Sequence, residues 1–129
     1  MCKLVGITSN LGEMIKVADI KKKYIQNIIE SASKCKSIEA VILFGSALEE
    51  RCTDNSDIDI AIISKYTVNG LCRLKSYIKF MSDIYGFDLS QEYDRLYFKS
   101  FSEIEEKKDE TYICRELIEK GKIIYKKVG

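Results

Sequence analysis

The stretch FGSALEERCTDNSDIDIAIIS, residues 44–64, places a Gly-Ser pair after one apolar run and two aspartates at the start of the next. The first run, AVILF (Ala40–Phe44), is short and continuous, which is typical of a buried strand. The second run, IDIAII (Ile58–Ile63), predicts another strand. Both fold and function depend on whether the motifs beside these two strands form one site.

Gly45 and Ser46 end the first strand and precede a short predicted helical segment, SALEE. The free backbone N–H groups at the start of such a segment, together with the helix dipole, favour an anion. Glycine lets the backbone approach a phosphate closely because it carries no Cβ, and the Ser46 hydroxyl can bind a terminal phosphate. A plain turn with a serine helix cap requires the same two residues, so both interpretations stay open.

Asp57 and Asp59 are two residues apart, and residues i and i+2 of a strand point to the same face. Two carboxylates on one face repel each other, and a divalent cation held by oxygen ligands removes that repulsion. This spacing therefore indicates a metal site. The alternative is a solvated strand end after the turn sequence TDNSD, where aspartate is common.

The composition excludes several classes of protein. The 129 residues include 21 lysines and arginines against 20 acids, and a net charge of +1 gives no field that attracts nucleic acid. There is no histidine, and the five cysteines form no CxxC pair, which excludes Cys/His zinc sites and a histidine base. No run reaches the roughly 18 apolar residues of a membrane span, and the first ten residues lack the apolar core of a secretory leader. We expect a cytoplasmic protein whose reduced thiols are mostly core fillers.

The remaining periodicity predicts an α/β (α+β) chain with one domain, residues 1–129, in which the core covers about 19–126 and residues 1–16 form an uncertain extension. The predicted elements that complete it are a helix from Val17 with Lys21–Lys23 on its exposed side, a helical stripe from Leu71 to Gly86, a third strand at Phe87–Leu89, a helix over Asp109–Lys120 and a last strand KIIYKKV. Helices and strands alternate, which favours a sheet covered mainly by helices.

The pattern FGS, ten residues, then DIDIAI resembles the DNA polymerase β-like nucleotidyltransferase superfamily, and within it the minimal nucleotidyltransferases (MNT). The C-terminal sequence EKGKIIY, a helix end followed by an apolar-tyrosine strand, adds to the likeness. The resemblance covers roughly Asp19 to Lys126. It implies a small mixed β-sheet covered by helices and transfer of a nucleoside monophosphate, AMP from ATP, to a hydroxyl acceptor.

The resemblance also implies roles for individual residues. Gly45 and Ser46 would bind the triphosphate, and Asp57 and Asp59 would hold two Mg²⁺ ions. A third carboxylate of the family lies on a neighbouring strand between apolar residues, where it binds metal and activates the acceptor. Asp88 in GFDLS is the best match for it, and Asp83 and Asp94 are the competitors.

The chain departs from the family just after Gly-Ser, where many relatives read GSRARG. The corresponding positions here carry two acids, Glu49 and Glu50, and the basic residue is displaced to Arg51. Acids beside a triphosphate raise the electrostatic cost of binding unless they point away. Arg51 either compensates as a phosphate ligand or is a solvated residue at a helix end.

The resemblance implies an acceptor on a partner, because minimal members lack the extra helical domain that other relatives use for acceptors. The family's best-known role suggests an antitoxin that transfers AMP onto a small helical HEPN-type protein, and a homodimer mate is the other candidate partner. Two further interpretations stay open. One is a nucleotidyltransferase acting on small molecules such as antibiotics, and the other is a nucleotide- or partner-binding module that has lost catalysis.

Overall fold

The two apolar runs that flank the motifs are neighbouring strands at the centre of a four-stranded sheet. In the computed structural model, which describes residues 1–128, they pair antiparallel so that Phe44 lies opposite Asp59. The elements in chain order are β1 (Leu4–Thr8), β2 (Met14–Ala18), α1 (Lys22–Ser33), β3 (Ala40–Phe44), β4 (Ile58–Ile63), α2 (Val68–Arg73), α3 (Lys75–Phe87), β5 (Tyr93–Phe98), α4 (Phe101–Glu106), α5 (Tyr112–Lys120) and β6 (Lys122–Lys126).

The sheet is mixed, with the strand order β5-β4-β3-β6. β3 is antiparallel to both of its neighbours, whereas β4 and β5 are parallel. Parallel pairing needs a crossover connection, and α2 and α3 supply it between β4 and β5. The predicted fold class, a small mixed sheet covered by helices, is confirmed.

Side chains alternate between the two faces of the sheet, and each face packs on its own pair of helices. Val41 and Leu43 of β3 join the larger core under α1 and α3, while Ile42 and Phe44 join a smaller core under α4 and α5. All five residues of β3 are buried, which explains its unbroken apolar sequence. The site described below lies on the face that α5 covers.

The uncertain N-terminal segment forms a separate two-stranded antiparallel sheet of β1 and β2. Val17 belongs to β2, so the helix predicted from Val17 begins too early; a 3-10 turn at Asp19–Lys21 leads into α1 at Lys22. The loop between β1 and β2 contacts the edge of β6. There the Asn10 amide donates to the Lys126 carbonyl at 2.7 Å and accepts from the Lys126 N–H at 2.8 Å.

The prediction of a strand at Phe87–Leu89 is wrong. Phe87 ends α3, and the third strand of the sheet is β5, Tyr93–Phe98. The helical stripe before it is two helices, because Leu74 is extended and separates α2 from α3. The helix predicted from Asp109 starts at Tyr112, where the Thr111 hydroxyl caps it by accepting from the N–H of Cys114 at 3.3 Å.

The prediction that Lys21 lies on an exposed side is wrong. Its side chain is buried, with only 1% exposed. Its ammonium donates to the main-chain oxygen of Asp54 at 3.1 Å and to Oε1 of Gln91 at 2.6 Å. Periodicity places Lys21 on the polar side of α1, but the loops before β4 and β5 cover that side. A polar pattern cannot distinguish solvent from such a loop.

All five cysteines are free thiols. Cys35 and Cys114 lie within the two hydrophobic cores, and Cys52 is buried outside them. Among residues 1–128, no helix is both long enough and apolar enough to cross a bilayer.

Candidate active site

Gly45 and Asp59 bring the two sequence motifs into direct contact. Gly45 follows β3 with a φ of +75°, a conformation that side chains rarely adopt, and it opens a 3-10 turn over Gly45–Leu48. A Cβ built on Gly45 would overlap the carboxylate of Asp59. The Gly-Ser and Asp-Ile-Asp motifs therefore belong to one place, as the antiparallel pairing of β3 with β4 requires.

Asp94 is the carboxylate that lies beside Asp59. The two residues are paired in register on the parallel strands β4 and β5. Burial raises the pKa of Asp59 to about 7, with further contributions from a hydrogen bond to Asp94 and from the charges of Asp94, Asp57 and Glu116. A hydrogen bond between two carboxyl groups requires one of them to be protonated. The pair therefore has a strong electrostatic reason to bind a cation.

Asp57 is exposed and precedes the first residue of β4. Its charge reaches Asp59, since it is one of the causes of the raised pKa of Asp59. The predicted pair of Asp57 and Asp59 is therefore close in space. The two side chains differ in solvent exposure, however, because Asp59 is half-buried and Asp57 is exposed.

Asp88, the residue expected to be the third carboxylate, does not line the cavity that Asp59 and Asp94 share. It is the first residue after α3, and its oxygens accept from the Ser90 hydroxyl at 2.6 Å, the Ser90 N–H at 2.9 Å and the Tyr24 hydroxyl at 2.5 Å. The side-chain hydrogen bond from Ser90 and then that from Tyr24 lower the pKa of Asp88 to about 2. Asp88 thus anchors the turn between α3 and β5.

The remaining competitor, Asp83, is also elsewhere, since it lies within α3 and pairs with Lys79 at 3.1 Å. Asp94 is the weaker match by sequence because no clear apolar strand surrounds it. β5 is an edge strand, YDRLYF, whose second and third residues are exposed, so its pattern is weak. The signal that the sequence does offer is its content of aromatic residues, Tyr93, Tyr97 and Phe98, which are enriched in strands.

Ser46 and Arg51 line a cavity of about 500 Å³ together with Gly45, Asp59 and Asp94. The guanidinium of Arg51 donates to both carboxylate oxygens of Glu49, at 2.7 and 3.1 Å. This hydrogen bond lowers the pKa of Glu49. Arg51 is thus placed to contact a ligand in the cavity, while Glu49 already occupies its bidentate face.

Glu116 is a residue that the sequence did not single out. It lies on α5, lines the cavity beside Asp59 and Asp94, and raises the pKa of Asp59 by its charge. It also lines an adjoining cavity of about 670 Å³, to which the N-terminal hairpin contributes Lys16. No local motif marks Glu116, because only the packing of α5 on the sheet brings it here.

The donor set at Asp59 fits a magnesium ion only in part. Across residues 1–128, no three Asp, Glu or Cys side chains converge to hold an ion by themselves. Mg²⁺ commonly takes one or two carboxylates from a protein and keeps water and substrate phosphate as its other ligands. Asp59 and Asp94 supply those two carboxylates, with Asp57 nearby. A magnesium ion that also contacts a bound phosphate therefore suits the site.

Replacing Gly45 with alanine should damage the fold and the site together. The positive φ disfavours a side chain by about 1–2 kcal/mol, and the new Cβ must also displace the Asp59 carboxylate. We expect a fall in melting temperature of about 5–10 °C, measured by circular dichroism. Gly86→Ala is the control, since Gly86 is helical with open space around it and should be neutral or stabilising. Equal melting temperatures for Gly45→Ala and the wild type would contradict the described contact.

A family model matches most of the chain. The profile of the family described as Polymerase beta, Nucleotidyltransferase matches residues 26–128, which include Gly45, Asp59 and Asp94. The N-terminal hairpin lies outside the matched region. A search of curated proteins finds no significant match. The match spans most of the chain, and the chain belongs to the polymerase beta nucleotidyltransferase family.

Proposed function

We propose that the protein is a metal-dependent nucleotidyltransferase of the MNT type that transfers AMP from ATP to a hydroxyl group on a partner protein. The observation that carries the proposal is the contact of Asp59 with Gly45 on one side and Asp94 on the other. A backbone turn without a side chain, set against paired carboxylates, suits a phosphate held together with a divalent cation. Nucleotidyl transfer needs that combination.

Each residue of the site has a role in this proposal. Asp57, Asp59 and Asp94 hold Mg²⁺, two ions when the nucleotide is bound, and Gly45, Ser46 and Arg51 contact the triphosphate. Bound magnesium would neutralise phosphate charge and polarise the α-phosphate. The side chains fix the α-phosphorus relative to the acceptor, and such positioning supplies much of the rate enhancement in phosphoryl transfer.

The reaction then needs a base, and a carboxylate is available. The acceptor oxygen bonds to the α-phosphorus, the bond to the bridging oxygen breaks, and pyrophosphate leaves with its electron pair. The acceptor proton passes to the Asp94 carboxylate, which lies in register with Asp59 on the neighbouring strand. A histidine base is impossible because the chain contains none.

The proposed acceptor is a small helical HEPN-type protein, with a second copy of this chain as the alternative mate. Support comes from the resemblance to minimal nucleotidyltransferases and from the open position of the catalytic residues. Arg51 and Asp57 are exposed, and the adjoining cavities open to solvent at the face that α5 covers. A protein side chain can reach such a site.

A small-molecule acceptor is the second candidate, and the cavity of about 670 Å³ favours it. That cavity adjoins Gly45 and Glu116 and is lined by both acidic and basic side chains, among them Glu119, Lys16 and Lys120. Its volume lies in the range of ordinary small-molecule sites. A hydroxyl-bearing compound with several polar groups would suit it.

Calorimetry tests the proposed function directly. ATP is titrated into the wild type, Asp57→Asn and Asp59→Asn, with and without Mg²⁺. We expect magnesium-dependent binding in the wild type that both substitutions abolish. ATP labelled in its α-phosphate is then incubated with the protein and a co-purified partner, or with hydroxyl-bearing small molecules. Binding without transfer to either acceptor would identify a nucleotide-binding module that has lost catalysis.

Glu49→Gln should strengthen ATP binding, because it frees the guanidinium of Arg51 from its bidentate partner. Both side chains are largely exposed, so the pair itself is weak, and we expect a gain in affinity of about three- to tenfold. Arg51→Ala should weaken binding by a similar factor. Glu50→Gln is the matched control for the loss of one acidic charge. If neither Glu49→Gln nor Arg51→Ala alters the dissociation constant, Arg51 is a solvated residue outside the site.

A further inference from the structure

A buried lysine outside the active site connects the two loops that lead into it. Lys21 is 1% exposed, and its ammonium donates to the main-chain oxygen of Asp54, in the loop before β4, at 3.1 Å. The same ammonium donates to Oε1 of Gln91, in the loop before β5, at 2.6 Å. The two bonds join segments that are distant in sequence, since Asp54 is 33 positions and Gln91 is 70 positions after Lys21.

Gln91 extends this connection with its amide nitrogen. It is 4% exposed, and its Nε2 donates to the main-chain oxygens of Ser56 at 3.1 Å and Glu92 at 2.8 Å. Ser56 immediately precedes Asp57, and Glu92 is two residues before Asp94. The Ile58 N–H donates to the Glu92 oxygen at 3.1 Å, so one acceptor joins Gln91 to the first residue of β4.

The turn that carries Gln91 is itself fixed to α1. Asp88 accepts from the Tyr24 hydroxyl at 2.5 Å, one helical turn after Lys21. The start of α1 therefore holds the loop before β5 at two points, Asp88 and Gln91. Of these two points, Gln91 is the one connected to the loop before β4, since its amide donates to Ser56 and its partner Lys21 donates to Asp54.

Burying a lysine at this position is energetically unfavourable if its role is only structural. Burial of an ammonium disfavours the charged form, and Nζ here bonds to one carbonyl and one amide oxygen rather than to a carboxylate. An apolar side chain would fill the space at lower cost if filling space were the only requirement. What the ammonium adds is a short, directional connection between two loops.

We propose that Lys21 and Gln91 are positioning residues that hold the loops before β4 and β5 together and so set Asp59 beside Asp94, with Asp57 nearby. The inference rests on the proposed function, since its purpose is to assemble that carboxylate site. Neither residue contacts the carboxylates; each acts through the main chain of the loops.

The test compares Lys21→Met with Ile28→Ala in the full chain. Methionine keeps the length and apolar stem of lysine but cannot donate. Ile28 is a fully buried residue of α1, the helix that follows Lys21, so its truncation lowers stability through the larger core. Two measurements report on the site: Mn²⁺ binding by water proton relaxation, and hydrogen exchange of the Ile58 amide relative to that of Leu43 in β3.

If the proposal is right, Lys21→Met accelerates exchange at Ile58 about tenfold relative to Leu43 and weakens Mn²⁺ binding by a similar factor. Nucleotide transfer should fall in kcat by about 100-fold, because small displacements of catalytic groups have effects of that size. Ile28→Ala should keep both the exchange ratio and the Mn²⁺ affinity despite its lower melting temperature. Lys21→Met behaving like Ile28→Ala in both measurements overturns the proposal.

A second variant covers the case in which Lys21→Met does not fold. Gln91→Glu keeps an acceptor for Lys21 but removes both donations, to Ser56 and Glu92. It should produce the same loss of Ile58 protection, and unchanged protection would overturn the proposal. The exchange measurement also separates the two hypotheses: a wild type that binds neither Mn²⁺ nor ATP refutes the proposed function, whereas the Ile58 result still decides whether Lys21 and Gln91 join the loops.

Discussion

Asp94→Asn should abolish nucleotide transfer, lowering kcat by about 1,000-fold or more, whereas Asp88→Asn should leave it close to the wild-type rate. Asp94 lies in register with Asp59 on the neighbouring strand and helps to raise the pKa of Asp59, so the substitution removes a proposed metal ligand and the proposed base together. Asp88 instead accepts from Tyr24 and Ser90 at the end of α3. The two substitutions are chemically identical, so each controls for the other.

The measurement is transfer of α-labelled phosphate from ATP at saturating Mg²⁺, with ATP binding by calorimetry as the second readout. Asp88→Asn should show its defect in stability, because the lowered pKa of Asp88 means that its ionised form stabilises the fold. That contribution is present above the ordinary aspartate pKa and is lost as the pH falls through about 2. An inactive Asp88→Asn beside an active Asp94→Asn would return the third carboxylate to Asp88.

The central part of the fold could be predicted from the sequence, because local patterns decide it. β3 is buried on both faces and is therefore apolar throughout. β4 begins at Ile58, and Asp59 is the one polar residue in its sequence. Their antiparallel pairing places Phe44 opposite Asp59 and hence Gly45 against its carboxylate. The closeness of the two motifs followed from two adjacent strands.

The position of Asp94 could not be read in the same way, because it depends on pairing across a crossover. β5 is parallel to β4 and separated from it by α2 and α3, so the register of Asp59 with Asp94 is set by packing rather than by a turn. Asp88 has the more strand-like neighbours, Phe87 and Leu89, yet Phe87 ends α3 and Leu89 lies in the turn that follows. Tertiary packing outweighed the local pattern there.

Lys21 and Glu116 show the same limit for side chains. Each lies in a helical segment, Lys21 in the 3-10 turn before α1 and Glu116 in α5. Each is charged, and a charged residue of a helix is ordinarily expected to face solvent. Lys21 is buried because two loops close over it, and Glu116 reaches the site because α5 packs on that face of the sheet. Both facts depend on segments far away in the sequence.

Asp59→Asn should make the protein more stable at neutral and alkaline pH while it abolishes activity. Burial, the hydrogen bond with Asp94 and neighbouring negative charges raise the pKa of Asp59 from 3.8 to about 7. A raised carboxyl pKa means that the folded state holds the proton more tightly than the unfolded state. Destabilisation by the ionised form is therefore absent below about pH 4, grows as the pH rises, and is complete above about pH 7.

Asparagine is neutral at every pH and so removes this destabilisation. Because Asp59 is only half-buried, solvent screening reduces the effect, and we expect a gain of about 1–2 kcal/mol at pH 8 that vanishes near pH 4. Urea unfolding of both proteins across this range measures it. The exposed Asp109→Asn serves as the control and should show no such pH-dependent gain.

Magnesium should reverse the order of stability at pH 8. A cation bound by Asp59 and Asp94 compensates the charge that destabilises the wild type, and any ligand bound only by the folded state raises its stability. Added Mg²⁺ with ATP should therefore raise the unfolding midpoint of the wild type and leave that of Asp59→Asn unchanged. If Asp59→Asn is no more stable than the wild type at pH 8 and both respond equally to Mg²⁺, the paired carboxylates do not form the cation site. The contact between Gly45 and Asp59 would then serve the turn after β3 alone.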